Sequence, residues 1–120
     1  MTTDPRDLAD EEFCYLTTIG RVTGRPHEIE IWFALADSGR TLYLLSGGHN
    51  GSDWVKNLHR TPEVTVRIDG KRFSGRARFL EDEEEDELAR HLLVEKYERD
   101  PGSLAAWRRT ALPVAVDLTI

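Results

Sequence analysis

A single cysteine in 120 residues sets the first limit. With Cys14 alone there is no internal disulfide, and its place in an apolar stretch predicts a buried, unreactive thiol. No apolar run approaches the ~20 residues of a membrane helix, which excludes a helical span. Cations are also scarce. The 16 lysines and arginines face 22 aspartates and glutamates, a formal charge of −6, and this argues against a general nucleic-acid binder, whose affinity rests on phosphate neutralisation. The first 13 residues are acidic and polar and lack the basic and apolar regions of a secretory signal, so a cytoplasmic location is expected.

Several catalytic patterns are missing as well. His27, His49, His59 and His91 show no i, i+4 pair, no HExxH and no cysteine cluster, so no metal site is expected. There is no GxSxG elbow for a serine hydrolase and no GxxxxGK[ST] phosphate loop. A GxGxxG that follows a strand and opens a helix is absent too, which excludes a Rossmann dinucleotide site.

What is present describes an ordinary globular chain, 39% hydrophobic and 32% charged. One domain is expected over residues 1–120, burying roughly two-thirds of its unfolded surface. Residues 7–13 are compatible with a short helix, and CYLTTIG reads as a strand from its β-branched and aromatic residues. From His27, alternation puts Ile29, Ile31, Phe33 and Leu35 on one face and Glu28, Glu30, Trp32 and Ala34 on the other. Asp37, Ser38 and Gly39 make a turn into the strand at 41–46. Asn50-Gly51 suggests a hairpin, but Trp54, Val55 and Leu58 at helical spacing, with Ser52 as cap, predict a loop and a short helix ending before Pro62. VTVRI and KRFSGRARFL pair through Asp69-Gly70, a strong two-residue turn.

The run Glu81 to Glu87 reads as the solvated start of a long helix whose apolar stripe is Leu88, Leu92, Leu93 and Tyr97. Pro101 and Gly102 end it, SLAAWRR forms a second short helix, and residues 113–120 form the last strand. The expected fold is therefore mainly β, a six-stranded antiparallel sheet curled into a barrel with two or three flanking helices.

Three stretches carry ingredients for an anion. In GRVTGRP, Arg21 and Arg25 bracket Val22, Thr23 and Gly24; guanidinium forks grip phosphate, and glycine lets backbone amides approach it. The same residues also serve any turn. SGGHNGS runs from a strand end to a helix N-terminus, where free amides attract anions, although Asp53 opposes a charged ligand unless its carboxylate turns to the cap. Arg67, Lys71, Arg72, Arg76 and Arg78 lie on adjacent strands, either as a solvated face balanced by the acidic helix or as a groove for acidic groups.

Taken together, LTTIGRVTGRPHEIEIWFAL, LYLLSGGHNGSDWVKNLHRTPEVTVRI and AWRRTALPVAV closely resemble the deazaflavin-dependent nitroreductase family of the flavin and deazaflavin oxidoreductase superfamily. The resemblance covers residues 14–118. It implies a split β-barrel, often a homodimer, that binds the deazaflavin coenzyme F420. By position it implicates Arg21, Val22, Thr23, Gly24 and His27, then Ser46, Gly47 and Gly48, with Trp54 and Asn57 shaping the loop. Arg21 and backbone amides would face phosphate, and the strand after the turn would support the flat ring near Trp32.

Two departures stand out. Related members often carry a lysine in the turn and another in the Gly-rich loop, where this chain has Val22 and Gly47 or Gly48. Of the several tyrosines they carry between the long helix and the final strand, which contribute to the substrate pocket, this chain retains only Tyr97 and has Leu104 and Trp107. The implied activity is hydride transfer from the reduced deazaflavin to a small quinone, enone or nitro acceptor, with Trp32, Tyr43 or Tyr97 as walls or proton donors. The alternatives are an FMN-dependent oxidoreductase on the same barrel and a non-catalytic protein holding a cofactor, haem or lipid.

Overall fold

A computed structural model describes residues 4–119. Residues 1–3 of the expected domain, and Ile120 at the end of the expected last strand, lie outside the described residues. The strands are β1 (Cys14–Ile19), β2 (Pro26–Ile31), β3 (Ala34–Leu35), β4 (Thr41–Ser46), β5 (Glu63–Ile68), β6 (Lys71–Phe79) and β7 (Leu112–Leu118). The helices are α1 (Asp53–Arg60), α2 (Glu83–Tyr97) and α3 (Ala105–Thr110). All strand pairings are antiparallel.

The sheet order is β2-β1-β5-β6-β7-β4-β3. Its two edge strands are thus consecutive in the chain, joined only by Trp32 and Phe33. A sheet whose opposite edges meet through two residues must curl, and the mainly β barrel follows. Seven strands stand where six are expected, because the single run from His27 to Leu35 divides at this junction. Alternation along the run is real, but its first half pairs with β1 and its second with β4. No local pattern marks the change of partner.

Apolar residues fill two layers. Inside the barrel lie Leu16, Phe33, Leu42, Leu44, Val66, Ile68, Phe73, Val114 and Val116. Outside it, Tyr43, Leu45 and Ala115 pack against Ala89, Leu93 and Tyr97 of α2. Strand β4 is buried on both faces for this reason, with its inner face in the barrel and its outer face under the helix. On α2 the buried stripe runs through Ala89, Leu93, Val94 and Tyr97, while Leu88 is left exposed, one residue off the expected line.

Three local expectations shift. The helix expected at 7–13 is a 3-10 turn at Pro5–Leu8, where Pro5 presets the first turn and the Asp4 side chain accepts from the Arg6 amide. Ser52 does stand at the N-cap of α1, yet its hydroxyl lies 2.8 Å from Ser46 Oγ and makes no capping bond. The Asp69-Gly70 turn has positive φ at both residues, as a tight two-residue hairpin requires.

Of the five basic residues on these strands three are paired, while Lys71 and Arg72 are exposed and have no ion-pair partner among the described residues. Arg67 meets Glu28 at 3.1 Å, Arg76 meets Glu63 at 3.0 Å, and Arg78 is clasped by Glu85 and Asp117, each at 2.7 Å. Cys14 is fully buried, and loss of solvent pushes its thiol up to about 12.

Candidate functional site

The turn after β1 closes on itself. The Gly20 amide donates to Arg25 O at 2.8 Å, and the Gly24 amide donates to Gly20 O at 2.9 Å. Gly24 has φ +73°, a conformation that favours glycine. The Thr23 hydroxyl accepts from the Arg25 amide at 3.2 Å. Among the described residues the amides of Val22 and Thr23 take no protein acceptor.

The turn is docked onto α1 by a buried amide. Asn57 is 4% exposed; its Nδ2 donates to Thr18 Oγ1 at 3.0 Å, and its Oδ1 accepts from Arg21 N at 3.1 Å and Arg21 Nη1 at 2.9 Å. Arg21 Nη2 donates to Asp53 Oδ1 at 3.2 Å. Asp53 therefore turns its carboxylate to Arg21 and not to the helix cap.

Between these elements lies a cleft of about 410 Å³, lined by Thr18, Gly20, Arg21, Val22, Thr23, His27, Glu28, Ile29, Asp53, Trp54 and Asn57. A Cβ on Gly20 would stand 2.7 Å from His27 Nε2, so the glycine gives the imidazole its place beside the strand end. Six of the expected residues come together here: Arg21, Val22, Thr23, His27, Trp54 and Asn57. Gly24 sits at the tip of the turn outside this lining.

A second hollow, of about 480 Å³, is lined by Phe13, Glu30, Ile31, Trp32, Leu45, Leu104 and Trp107. Trp32 stacks on Tyr97 with ring centroids 4.2 Å apart and planes 4° apart, and meets Trp107 edge-on at 5.7 Å and 88°. These are favourable aromatic geometries, and they hold two indoles at right angles on the walls. The Gly-rich loop borders this hollow: a Cβ on Gly47 would come within 3.8 Å of Trp107, and one on Gly48 would collide with Ser52 Oγ. Ser46 is nearly fully buried, its hydroxyl donating to His49 O at 3.0 Å, so it staples the loop from within.

The two tyrosines have other partners. Tyr43 donates to Glu85 Oε2 at 2.8 Å, and burial, followed by that bond, raises its pKa. Tyr97 hydroxyl lies 2.7 Å from Glu12 O and 3.0 Å from both Phe33 N and Phe33 O; burial is the main cause that pushes it up to about 12. Both hydroxyls hold their protons within the protein.

Several lining residues were not singled out as ligands from the sequence. Thr18 and Glu28 look like ordinary strand residues, and Phe13, Leu45 and Leu104 look like core. Only strand pairing and the approach of α3 bring them to a cleft, although the alternation that sets Glu28, Glu30 and Trp32 on one face pointed toward it.

Residues 4–119 match the family model described as F420H(2)-dependent quinone reductase. Among solved structures, an F420-H2 dependent reductase, FDR-A, is 24% identical with a TM-score of 0.67, over 90% of this chain and 94% of that one. An F420 reductase is 17% identical with a TM-score of 0.66, over 100% and 97%. The conserved hypothetical protein Rv2991 of Mycobacterium tuberculosis is 22% identical with a TM-score of 0.74, over 100% and 81%. At these identities the likeness is one of fold. A comparison with curated proteins finds no match.

Proposed function

The chain belongs to the F420H(2)-dependent quinone reductase family, and from that premise we propose that it is a deazaflavin-dependent oxidoreductase acting on a small quinone, enone or nitro acceptor. The observation that carries this assignment is that one strand, β2, borders both hollows. Glu28 and Ile29 line the polar cleft, while Glu30, Ile31 and, just beyond the strand, Trp32 line the aromatic one. Four residues of strand span roughly 13 Å, a length suited to a ligand with an anionic end and a flat ring.

The residues present suit such a group. The unpaired amides of Val22 and Thr23, the Thr23 hydroxyl proton and the Arg21 guanidinium are donors at the polar end. Trp32, Trp107, Leu45 and Leu104 offer an apolar, aromatic surface at the other. Reduced F420, once bound, supplies the hydride. The chain's part is to bind, orient and exclude water: Asn57 fixes the turn, Trp32 is held flat by Tyr97, and Trp107 closes one side. His27 stands beside the turn as a further polar contact, and Gly47 and Gly48 let the loop approach without side chains. Trp32 acts as a wall for the ring or acceptor, and the buried Tyr43 and Tyr97 support the site.

We further propose a homodimer, as the family resemblance implies, in the cytoplasm. Sedimentation at micromolar concentration should show a dimer, and a monomer would remove that part. Among the described residues no helix is long and apolar enough to cross a membrane.

The test is a titration of the purified protein with F420 and with FMN, followed by tryptophan fluorescence, then turnover of a quinone with reduced F420. Tighter binding of F420 together with quinone reduction is expected. Preference for FMN would favour the flavin alternative, and binding without turnover a carrier.

A further inference from the structure

Two arginines of this chain meet carboxylates in different ways. Arg78 has both edges filled: Nη1 and Nη2 donate to Glu85 at 2.7 Å each, while Nε and Nη2 donate to Asp117 at 2.7 and 3.3 Å. Its carboxylates brace α2 and β7 against β6, and no edge is open to a ligand. Arg21 is held at one nitrogen and loosely engaged at another. Nη1 is anchored on the buried Asn57 oxygen, with a long 3.5 Å approach to Asp53 O, and Nη2 has one 3.2 Å contact to Asp53 Oδ1. Nε has no acceptor among the described residues. The edge formed by Nε and Nη2, which suits two oxygens of one phosphate, is therefore half filled.

The two partners of Arg21 differ in mobility. Asn57 is buried and tied to Thr18. The Asp53 side chain is 85% exposed, and an exposed ion pair of this kind is weak, so its carboxylate can leave at small cost. The other acid on the cleft, Glu28, already has a cation, Arg67, at 3.1 Å. Asp53 is thus the one carboxylate of the lining that competes with an incoming anion for Arg21. Val22 adds no compensating charge.

We propose that Asp53 is a displaceable counter-ion: it holds Arg21 in place while the cleft is free and yields Nη2 to the phosphate of the ligand, thereby setting affinity for anionic groups. The inference rests on the assignment of F420 phosphate to this cleft. It makes the cleft selective for a group carrying a single phosphate charge that exchanges for one carboxylate. Further anionic groups placed near Asp53 would meet its displaced charge.

The test is calorimetric titration of oxidised F420 into the wild type, Asp53→Asn, Arg21→Ala and the double variant, with Asp53→Ser as a second probe of the same position. Asp53→Asn is expected to bind roughly three- to tenfold more tightly, because a competing ion pair and a repulsion are both removed. In the Arg21→Ala background the gain from Asp53→Asn should shrink. Unchanged or weaker binding by both Asp53 variants, with Arg21→Ala still impaired, would overturn the counter-ion role and leave the cofactor assignment standing. Unchanged binding by Arg21→Ala would overturn the phosphate placement itself, and absence of F420 binding in all five proteins would overturn both.

Discussion

The Tyr97 hydroxyl sits 3.0 Å from the amide nitrogen and 3.0 Å from the carbonyl oxygen of Phe33, the residue at which the chain leaves one edge of the sheet for the other. Phe33 has just left β2 and has not yet joined β3, so its backbone groups lack ladder partners, and α2 supplies them: the Tyr97 hydroxyl accepts from the amide, and Lys96 Nζ also donates to the carbonyl. The same ring lies flat beneath Trp32. One tyrosine thereby fixes both the closure of the barrel and the wall of the aromatic hollow.

Tyr97→Phe should accordingly lower stability by about 1 to 3 kcal/mol, because the buried Phe33 amide loses its acceptor. Urea unfolding checks this. Turnover per folded molecule should be largely retained; a loss of turnover at unchanged stability would make Tyr97 a proton donor instead.

Lys96 and Cys14 give opposite pH signatures. Lys96 donates to Phe33 O at 3.0 Å and lies 3.6 Å from the Phe33 ring centroid; burial lowers it from 10.5 to about 8. Between those values the unfolded chain holds more protons, so the Lys96 contribution to stability is present above 10.5 and lost as pH falls through about 8. Cys14 is raised from 9.0 to about 12, so its contribution is present below 9.0 and lost as pH rises toward about 12. Urea titrations across this range should show Lys96→Met losing stability relative to wild type as pH rises, and Cys14→Ala gaining. Parallel curves would contradict both shifts.

Arg78 ties α2 and β7 to β6 through Glu85 and Asp117, with Tyr43 and Thr41 completing the set at 2.8 and 2.9 Å. The guanidinium holds both carboxyls below their ordinary values of 4.5 and 3.8. Their stabilisation is present above those values and lost as pH falls through the depressed ones. Arg78→Met should cost about 1 to 3 kcal/mol in neutral solution, an allowance for a network that is partly exposed. Thermal unfolding should show the difference narrowing in strong acid. A difference that persists there would point to packing of the arginine stem as its source.

Much of the fold was legible because local chemistry specified it. The Asp69-Gly70 hairpin, the acidic start of α2 and the short α1 ending before Pro62 each follow from residues a few positions apart. The division at Trp32 and Phe33 did not, since the apolar and polar alternation runs through it and Tyr97, whose hydroxyl meets the Phe33 backbone there, is 64 residues away. At the site, the turn from Gly20 to Pro26 was legible as a turn from its glycines and proline. Its docking partner Asn57 and the turning of Asp53 toward Arg21 depend on α1 packing beside β1. The aromatic hollow was the least visible, because Trp32, Trp107 and Leu45 come from three distant segments and each alone resembles core.

The protein has three tryptophans. Trp54 lines the polar cleft, and Trp32 and Trp107 line the aromatic one. Fluorine NMR of protein labelled with 5-fluorotryptophan therefore reports both ends of β2 at once. Titration with F420 should shift all three resonances along one binding curve, whereas inorganic phosphate should move Trp54 alone. Resonances of Trp32 and Trp107 that stay fixed while F420 binds, or a Trp54 resonance that never responds, would contradict a single ligand lying along this strand.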